Sequence, residues 1–388
     1  MEEVLFQITK DQLETGMRGF PVGYCTTSFV DPIKGLFYRG KPIADLCSWE
    51  AERVIFLLKN GKEGTSQDIA RFSEELKKRE NCSQAVIKYL ENLPRHGHPM
   101  KLFAASLLLL GIVEGQNDYK EDCINVIAKI PHLVATLINY HSGCDETPVP
   151  KEKLGYIENF VHMLQVPMND KQHLVEIFRL FVIMHFDHGG GNLSAFVGKA
   201  VASSHADMYS SLSSAISALS GPLHGRANQD ALAFVTSVLE EVGENPLPSE
   251  VEALIRRRLQ NNEVIYGFGH AVLRAEDARA AIFYDYAEKH FKENPLIKIA
   301  LLLRVEGTKV LKENAKISDP FPNVDAISGS LLTAAGFHYP EYFPVLFGLA
   351  RVIGIALQIE YERCYARGGK GTPIVRPRYL YKPDVKLE

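Results

Sequence analysis

The chain has 388 residues, of which 46% are hydrophobic, and its formal net charge is −4 at pH 7. This length is beyond the size at which one hydrophobic core usually stops growing, so the sequence predicts two domains, or one large domain with a sizeable lobe. Because acidic and basic residues are interspersed, no basic tract indicates a nucleic acid or an anionic membrane as a partner.

The apolar runs and the cysteines exclude further classes of protein. The longest apolar run, residues 102–113, is shorter than the roughly 20 residues that a membrane-spanning helix needs. The N-terminus MEEVLFQITK is acidic where a targeting peptide is basic. The six cysteines show no paired spacing, which favours free thiols over a disulfide framework or a zinc site. We expect a cytoplasmic protein, or a mitochondrial matrix protein if the chain is a processed form.

In chain order, the alternation typical of strands is confined to the first 40 residues, where VLFQIT and KGLFYRG predict short strands. After about residue 45 the apolar residues recur at spacings of three and four, which is typical of helices. The predicted helices cover residues 66–80, 84–93, 99–114, 121–142, 152–164, 171–186, 195–220, 228–242, 248–260, 279–291, 294–315, 324–335 and 341–366. The sequence therefore predicts a mostly α protein.

The segment MHFDHGGGNLSAF, residues 184–196, contains two histidines at a spacing that could bind a metal. Neither a cysteine nor an arranged carboxylate pair accompanies His185 and His188, and the glycines that follow end the helix. We expect no metal here, and we interpret the three glycines as clearance around a ligand that contacts His188.

The segment LSGPLHGRANQDAL, residues 219–232, places His224 in a turn between two predicted helices. The first helix ends at Gly221 and Pro222, because proline cannot continue the helical hydrogen bonding. Gly225 leaves room for a ligand to approach the backbone. Two interpretations are open: a structural histidine bonded to the backbone, or a histidine that contacts a ligand.

The segment YGFGHAVLRAEDAR, residues 266–279, places His270 after two glycines and before a predicted helix, and adds two arginines. On an ideal helix Arg274 and Arg279 would point to opposite sides, so they converge only if the chain bends near residues 276–278. The alternative is a pair of solvated arginines at a helix start. The two glycines are not a dinucleotide fingerprint, which needs a third glycine and a preceding strand.

Two charged residues in the last third of the chain complete the candidates. Asp325 lies at a predicted helix start, where it either interacts with the helix N-terminus or acts as a general base. Arg351 lies in a helix that is apolar nearly all round, so we expect it to be buried beside an anion, which is a structural carboxylate or a ligand carboxylate. Phe347, one turn earlier on the same face, would then line that ligand site.

Together these residues indicate acid–base chemistry on a small polycarboxylate, without a metal or a nucleotide loop. Over nearly its whole length the sequence resembles the citrate synthase family, most closely the animal mitochondrial type. The matching segments are TGMRG (15–19), FYRGKPI (37–43), HPM (98–100), ENFVHML (158–164), DHGGGNLSAF (187–196), GPLHGRANQD (221–230), GFGHAVLR (267–274), PNVDAISG (322–329) and VLFGLARVIG (345–354).

The resemblance implies that oxaloacetate, acetyl-CoA and water give citrate and CoA, with no cofactor because acetyl-CoA is a substrate. It implies that Asp325 removes a methyl proton from acetyl-CoA. A neutral His224, whose other nitrogen is held by the turn, would donate a hydrogen bond to the thioester oxygen, and His270 would protonate the carbonyl oxygen of oxaloacetate. The implied oxaloacetate site is His188, Arg279, Phe347, Arg351 and Arg376, and the implied CoA site is Arg18, Val264, Ile265, Tyr266, Gly267 and Arg274.

The same resemblance implies an architecture, a multi-helical homodimer whose subunits have two domains each. The large domain would comprise residues 1–224 and 334–388, and the small domain residues 225–333 would close over oxaloacetate. Arg376 would come from the partner subunit. Neither a nucleic acid nor a membrane is an expected partner.

Three positions depart from the family pattern. Ala278 stands where the family commonly has proline, Gly189 replaces an acidic residue, and Phe196 replaces a second histidine. Two alternatives to citrate synthase stay open. A 2-methylcitrate synthase using propionyl-CoA would share every catalytic residue, whereas a non-catalytic dimeric member is disfavoured because all three catalytic positions are filled.

Overall fold

The computed structural model describes residues 4–144 and 146–381, and these residues are mostly helical, which confirms the predicted fold class. The helices are α1 (Ile43–Leu46), α2 (Ala51–Asn60), α3 (Ser66–Arg79), α4 (Gln84–Glu91), α5 (Pro99–Glu114), α6 (Tyr119–Ser142), α7 (Tyr156–Met163), α8 (Lys171–His185), α9 (Leu193–Ala202), α10 (Met208–Leu219), α11 (Ala227–Val242), α12 (Pro248–Gln260), α13 (Ala278–Phe291), α14 (Pro295–Leu302), α15 (Thr308–Lys312), α16 (Asp325–Ala334) and α17 (Phe343–Cys364). A π-helical turn, Leu303–Gly307, joins α14 to α15.

A small antiparallel sheet lies near the N-terminus, with strand order β1 (Ser28–Asp31), β2 (Gly35–Tyr38) and β3 (Lys41–Pro42). The predicted strand in KGLFYRG is confirmed, and Ser28 pairs with Tyr38. The predicted strand in VLFQIT is wrong, because residues 4–9 are exposed and have no neighbouring strand to take their backbone hydrogen bonds.

Two helix predictions also differ from the structure. Residues 195–220 form two helices rather than one, because His205 adopts a left-handed φ of 67° and Asp207 starts α10 by accepting the backbone N–H of Ser210 at 2.9 Å. The sequence analysis missed α2, whose buried residues include Val54 and Leu58.

The core is built around α17, which packs against α6, α8, α9 and α10. By length and composition, α6 and the segment Pro340–Cys364 could each cross a membrane, but in both cases 94% of the apolar window is buried inside the protein. The end of α8 lies directly on α17, where the N–H of Gly354 donates to the carbonyl of Phe186 at 3.1 Å. A side chain at Gly354 would collide with that carbonyl, so the close crossing requires glycine.

A second group of helices packs around α16, which contacts α11, α13 and α14. These helices fall within residues 225–333, the predicted small domain, except that α16 ends one residue later at Ala334, and the domain boundaries themselves stay a prediction. His224 contacts α9 through Ser194, and the ring of His270 lies beside that of His188 in the loop after α8.

Buried histidines make stability depend on pH, and His132 and His185 are two of them outside the candidate site. Burial lowers the pKa of His132 to about 4 and that of His185 to about 3, from an ordinary 6.5. As the pH falls below 6.5 the unfolded chain binds protons that the folded chain does not, so stability is complete above pH 6.5 and is lost toward pH 4 and below. Each histidine costs about 1.4 kcal/mol per pH unit in this window.

We therefore expect a lower melting temperature at pH 5.5 than at pH 7.5 in a thermal scan. His132→Asn keeps an acceptor for the N–H of Cys82, which donates to the ring at 3.2 Å, and should reduce the loss because asparagine does not titrate. The exposed His96 supplies the control, since His96→Asn should leave the pH dependence unchanged. Equal melting temperatures of the wild type at both pH values would contradict the prediction.

Candidate active site

His188 lies in the loop that follows α8, on a buried carboxylate. Asp187 is wholly buried and accepts the backbone N–H of His188 at 2.9 Å and the side-chain amide of Gln358 at 2.7 Å. The hydroxyl of Thr27 also donates to this carboxylate. Burial, and then the charges of the nearby Arg279 and Arg351, keep the pKa of His188 well below its usual value, so its ring is neutral.

Arg351 is buried as predicted, with 2% of its surface exposed. Its Nε donates to the carbonyl of His185 at 3.2 Å, and its guanidinium lies 4.7 Å from the ring centre of Phe347. No carboxylate of the described residues lies at ion-pair distance from it, although the charge of the buried Asp187 acts on it. Burial lowers the pKa of Arg351 to about 10. The guanidinium is thus available for a ligand anion.

Arg279 is also buried but has its own carboxylate. Its Nη2 lies 2.7 Å from Asp277, and the same carboxylate accepts the backbone N–H of Arg279 at 3.0 Å and so starts α13. Because Asp277 sets the helix start, the chain turns here with Ala278 in place of proline. The pKa of Arg279 is raised: the charge and hydrogen bond of Asp277 outweigh burial, which acts in the opposite direction.

The predicted helix 279–291 is confirmed as α13, and the chain between His270 and that helix is irregular. Arg274 is exposed there and its Nη1 donates to the carbonyl of Leu273 at 2.6 Å, while Arg279 points into the interior. The two arginines do not share one helix face.

His270 is held in one tautomer by its own loop. Its Nδ1 accepts the backbone N–H groups of Val272 and Leu273, both at 3.0 Å, so its proton is on Nε2. Burial, followed by the charge of Arg279, lowers its pKa to about 4. The ring lies 5.3 Å from that of His188, centre to centre. A neutral donor therefore stands next to the His188 ring.

His224 is held by Ser194, a residue that the sequence analysis missed. Its Nε2 accepts the backbone N–H of Ser194 at 3.2 Å, and Ser194 Oγ lies 3.0 Å from the same nitrogen. The expectation that the turn holds this ring is met in part: the backbone of His224 itself forms a hydrogen bond with the ring, whereas Nε2 is held by the first turn of α9, and the proton is on Nδ1. Burial, and then Arg351, lower the pKa of His224 to about 4.

Asp325 is the first residue of α16. Burial raises its pKa to about 6, although the charge of Arg279 acts in the opposite direction. The N-cap residue is Val324, and within the described residues the carboxylate of Asp325 takes no capping hydrogen bond. A half-buried carboxyl that titrates near neutrality beside arginines and neutral histidines fits a general base better than a helix cap.

The predicted CoA residues divide into two groups. Ile265 is buried and lines a cavity next to His270, Lys316 and Asp319, while Val264 and Tyr266 are exposed and Gly267 has a left-handed φ of 82°. Lys316 was missed, although a lysine shortly before the Asp325 segment was a visible signal for an anion.

Arg18 and Arg376 lie apart from these residues in the described chain. Both side chains are exposed, Arg18 after the short helix Lys10–Glu14 and Arg376 on the extended C-terminal segment, where the N–H of Val375 donates to Ser203 at 2.9 Å. Their roles stay predictions.

Comparison with known proteins identifies the family. Residues 16–378 match the family model "Citrate synthase, C-terminal domain". The mitochondrial citrate synthase of Citrus maxima is 34% identical over 96% of this chain and 83% of its own length. The crystal structure of citrate synthase from Thermotoga maritima matches with a TM-score of 0.80 at 26% identity, covering 97% of both chains.

A further likeness, at 24% identity, concerns the fold alone. The citrate synthase of Thermoplasma acidophilum, a ternary complex with carboxymethyl coenzyme A and oxaloacetate, matches with a TM-score of 0.82 over 97% of both chains. Since the family model spans nearly the whole sequence and the Citrus relative exceeds 30% identity, this chain belongs to the citrate synthase family of acyltransferases.

Proposed function

We propose that this protein condenses oxaloacetate with acetyl-CoA and hydrolyses the product to citrate and CoA. The observation that carries the proposal is Arg351, a buried guanidinium that forms no ion pair with a carboxylate of the described residues. Its charge lowers the pKa of both His188 and His224, so it lies close to these two histidines. A dicarboxylate substrate supplies the missing anion, and the second buried cation, Arg279, supports binding of its other end.

The first chemical step is removal of a methyl proton from acetyl-CoA. Asp325 takes this proton, and the raised pKa of its carboxyl makes it a stronger base than an ordinary aspartate. His224 donates its Nδ1 proton as a hydrogen bond to the thioester oxygen, where negative charge develops. A neutral donor suits this role, because Ser194 holds the opposite nitrogen and the low pKa keeps the ring uncharged.

The second step forms the carbon–carbon bond. The enolate carbon attacks the ketone carbon of oxaloacetate, and His270 donates its Nε2 proton to the ketone oxygen. The proton that Asp325 took from the methyl group then replaces the one lost by His270, so that both side chains regain their starting forms. Water then hydrolyses the thioester of citryl-CoA, which releases citrate and CoA. Closure of residues 225–333 over oxaloacetate would keep water from the thioester of acetyl-CoA until the carbon–carbon bond has formed.

The proposal includes a homodimer with Arg376 reaching the oxaloacetate site of the partner subunit, which the exposed C-terminal segment supports. It also includes CoA binding by Arg18, Arg274 and the loop Val264–Gly267, with no cofactor. The mitochondrial names of the plant relatives support the matrix alternative for its location more than the cytoplasmic one.

The test is release of free CoA thiol from the purified protein with oxaloacetate and either acetyl-CoA or propionyl-CoA. We expect fast release with acetyl-CoA and slow release with propionyl-CoA. A preference for propionyl-CoA would transfer the assignment to 2-methylcitrate synthase, and no release with either thioester would refute the proposal. Omission of oxaloacetate is the control, since it must abolish release in both cases.

A further inference from the structure

The chain segments that carry His270 and Asp325 are joined along their backbones. Phe268 and Pro322 form an isolated antiparallel bridge between them. The N–H of Gly269 donates to the carbonyl of Phe321 at 3.0 Å, and the N–H of Asn323 donates to the carbonyl of Gly267 at 2.9 Å. The two segments are far apart in sequence, so these bonds bring together the proposed base and the proposed proton donor.

The side chain of Asn323 adds a second connection, and it contacts both segments at once. Its Oδ1 accepts the backbone N–H of Asp325 at 3.0 Å, and its Nδ2 donates to the carbonyl of Gly269 at 2.9 Å. The amide orientation is set by these partners, since the reverse orientation would place two donors together and two acceptors together. One end thus holds the backbone of the base, and the other holds the residue before His270.

This arrangement also explains why the carboxylate of Asp325 is free. A helix start leaves backbone N–H groups without partners, and an aspartate at that position commonly supplies the acceptor. At α16 the N-cap residue Val324 offers no side-chain acceptor, and Asn323 supplies it instead. The carboxylate of Asp325 can therefore face the cleft.

We propose that Asn323 is a positioning residue that fixes the separation of Asp325 and His270 through its two-ended amide. This inference rests on the proposed function, in which the base and the donor act on the two reactants of one bond-forming reaction. The placement of the two groups decides the rate, and a displacement of about 1 Å can cost roughly 100-fold. Arg279 and Arg351, which are proposed to bind oxaloacetate, lie on α13 and α17. A change at Asn323 should therefore affect the affinity for oxaloacetate much less than kcat.

Three variants test the proposal. Asn323→Ala removes both bonds. Asn323→Ser keeps a hydroxyl that can accept the N–H of Asp325 but is too short to reach the carbonyl of Gly269. Asn294→Ala is the matched control, because Asn294 accepts the N–H of Leu296 at 3.0 Å in the same way at the start of α14, away from the site.

With acetyl-CoA and oxaloacetate, we expect Asn323→Ala and Asn323→Ser to lower kcat by about 100-fold while the KM for oxaloacetate changes by less than about 3-fold. Asn294→Ala should lower the melting temperature and keep kcat. Recovery of wild-type kcat in Asn323→Ser would show that Asn323 is only a helix cap, and wild-type kcat in Asn323→Ala would also overturn the proposal.

Hydrogen exchange tests whether Asn323 joins the two chain segments, and it does not depend on enzymatic activity. We expect Asn323→Ala to increase amide exchange in both residues 266–273 and residues 321–328, and Asn294→Ala to change neither. Increased exchange in residues 321–328 alone would overturn the proposal. If the wild type releases no CoA, the proposed function fails, and the exchange result still decides whether Asn323 joins the two segments.

Discussion

Replacement of Asp325 by asparagine is expected to lower kcat by about 1000-fold while oxaloacetate still binds. The change keeps the shape of the side chain and removes the basic oxygen that we propose takes the methyl proton. In the wild type, kcat should rise with pH through about 6, because burial raises the pKa of Asp325 to that value and only the ionised carboxylate is a base. The measurements are CoA release across pH 5 to 8 and calorimetric binding of oxaloacetate.

A control for this variant is Asp118→Asn at the start of α6. Asp118 accepts the backbone N–H groups of Lys120 and Glu121 at 2.8 and 3.0 Å, and asparagine caps a helix about as well as aspartate. Activity should therefore be unchanged. Wild-type turnover in Asp325→Asn, or loss of oxaloacetate binding in that variant, would remove Asp325 from its proposed role.

Replacement of Arg351 by methionine is expected to have two opposite effects. Oxaloacetate affinity should fall by about 100-fold, because a charge-assisted pair of hydrogen bonds to a carboxylate is lost. The free protein should melt at a higher temperature than the wild type, because a buried guanidinium that forms no ion pair within the described residues is replaced by an apolar side chain of similar length. Isothermal calorimetry measures the first effect, and thermal scans without ligand measure the second.

Arg363 provides the contrast, because it is also buried but both of its terminal nitrogens donate to the protein, although its Nε has no partner. It donates to the carbonyls of Ala202 and Thr372 and to the hydroxyl of Thr372 at 3.0 Å. Arg363→Met should lower the melting temperature and leave the oxaloacetate affinity of the folded protein unchanged. A lower melting temperature in Arg351→Met would mean that the protein itself satisfies that guanidinium.

Helical periodicity located most of the fold, because long helices such as α6 and α17 carry many repeats of the same spacing. It did not locate α2, and the length of this helix is not the reason, since the eight-residue helices α4 and α7 were located. It also joined α9 to α10, since apolar spacing continues across the break while the real signal is Asp207 as a helix cap. The failed strand at residues 4–9 has a different cause, because alternation does not supply a neighbouring strand.

The candidate site residues were chosen from their chemistry and from family motifs. The residues that hold them in place by hydrogen bonds, Ser194 and Asn323, were not predicted. Burial of Arg351 follows from its apolar neighbours along one helix, so the sequence predicts it. The contact of Ser194 with His224 and the contact of Asn323 with Gly269 join residues that are far apart in the chain, and no local pattern encodes them. The same limit explains why the turn was expected to hold His224.

The glycine crossing between α8 and α17 has a mechanical consequence. Because Gly354 puts backbone against backbone at Phe186, the two helices cannot slide along each other without breaking that contact. We therefore expect His188, just after α8, and Arg351, in α17, to keep a fixed separation. If the protein carries out the proposed reaction, we expect the movement that brings the two reactants together to occur on the opposite side of the site, where Arg279 and Asp325 lie in α13 and α16 and His270 lies in the loop before α13. Flexibility introduced at the contact between α8 and α17 should therefore lower the affinity for oxaloacetate. Flexibility introduced in α13 or α16 should instead change kcat.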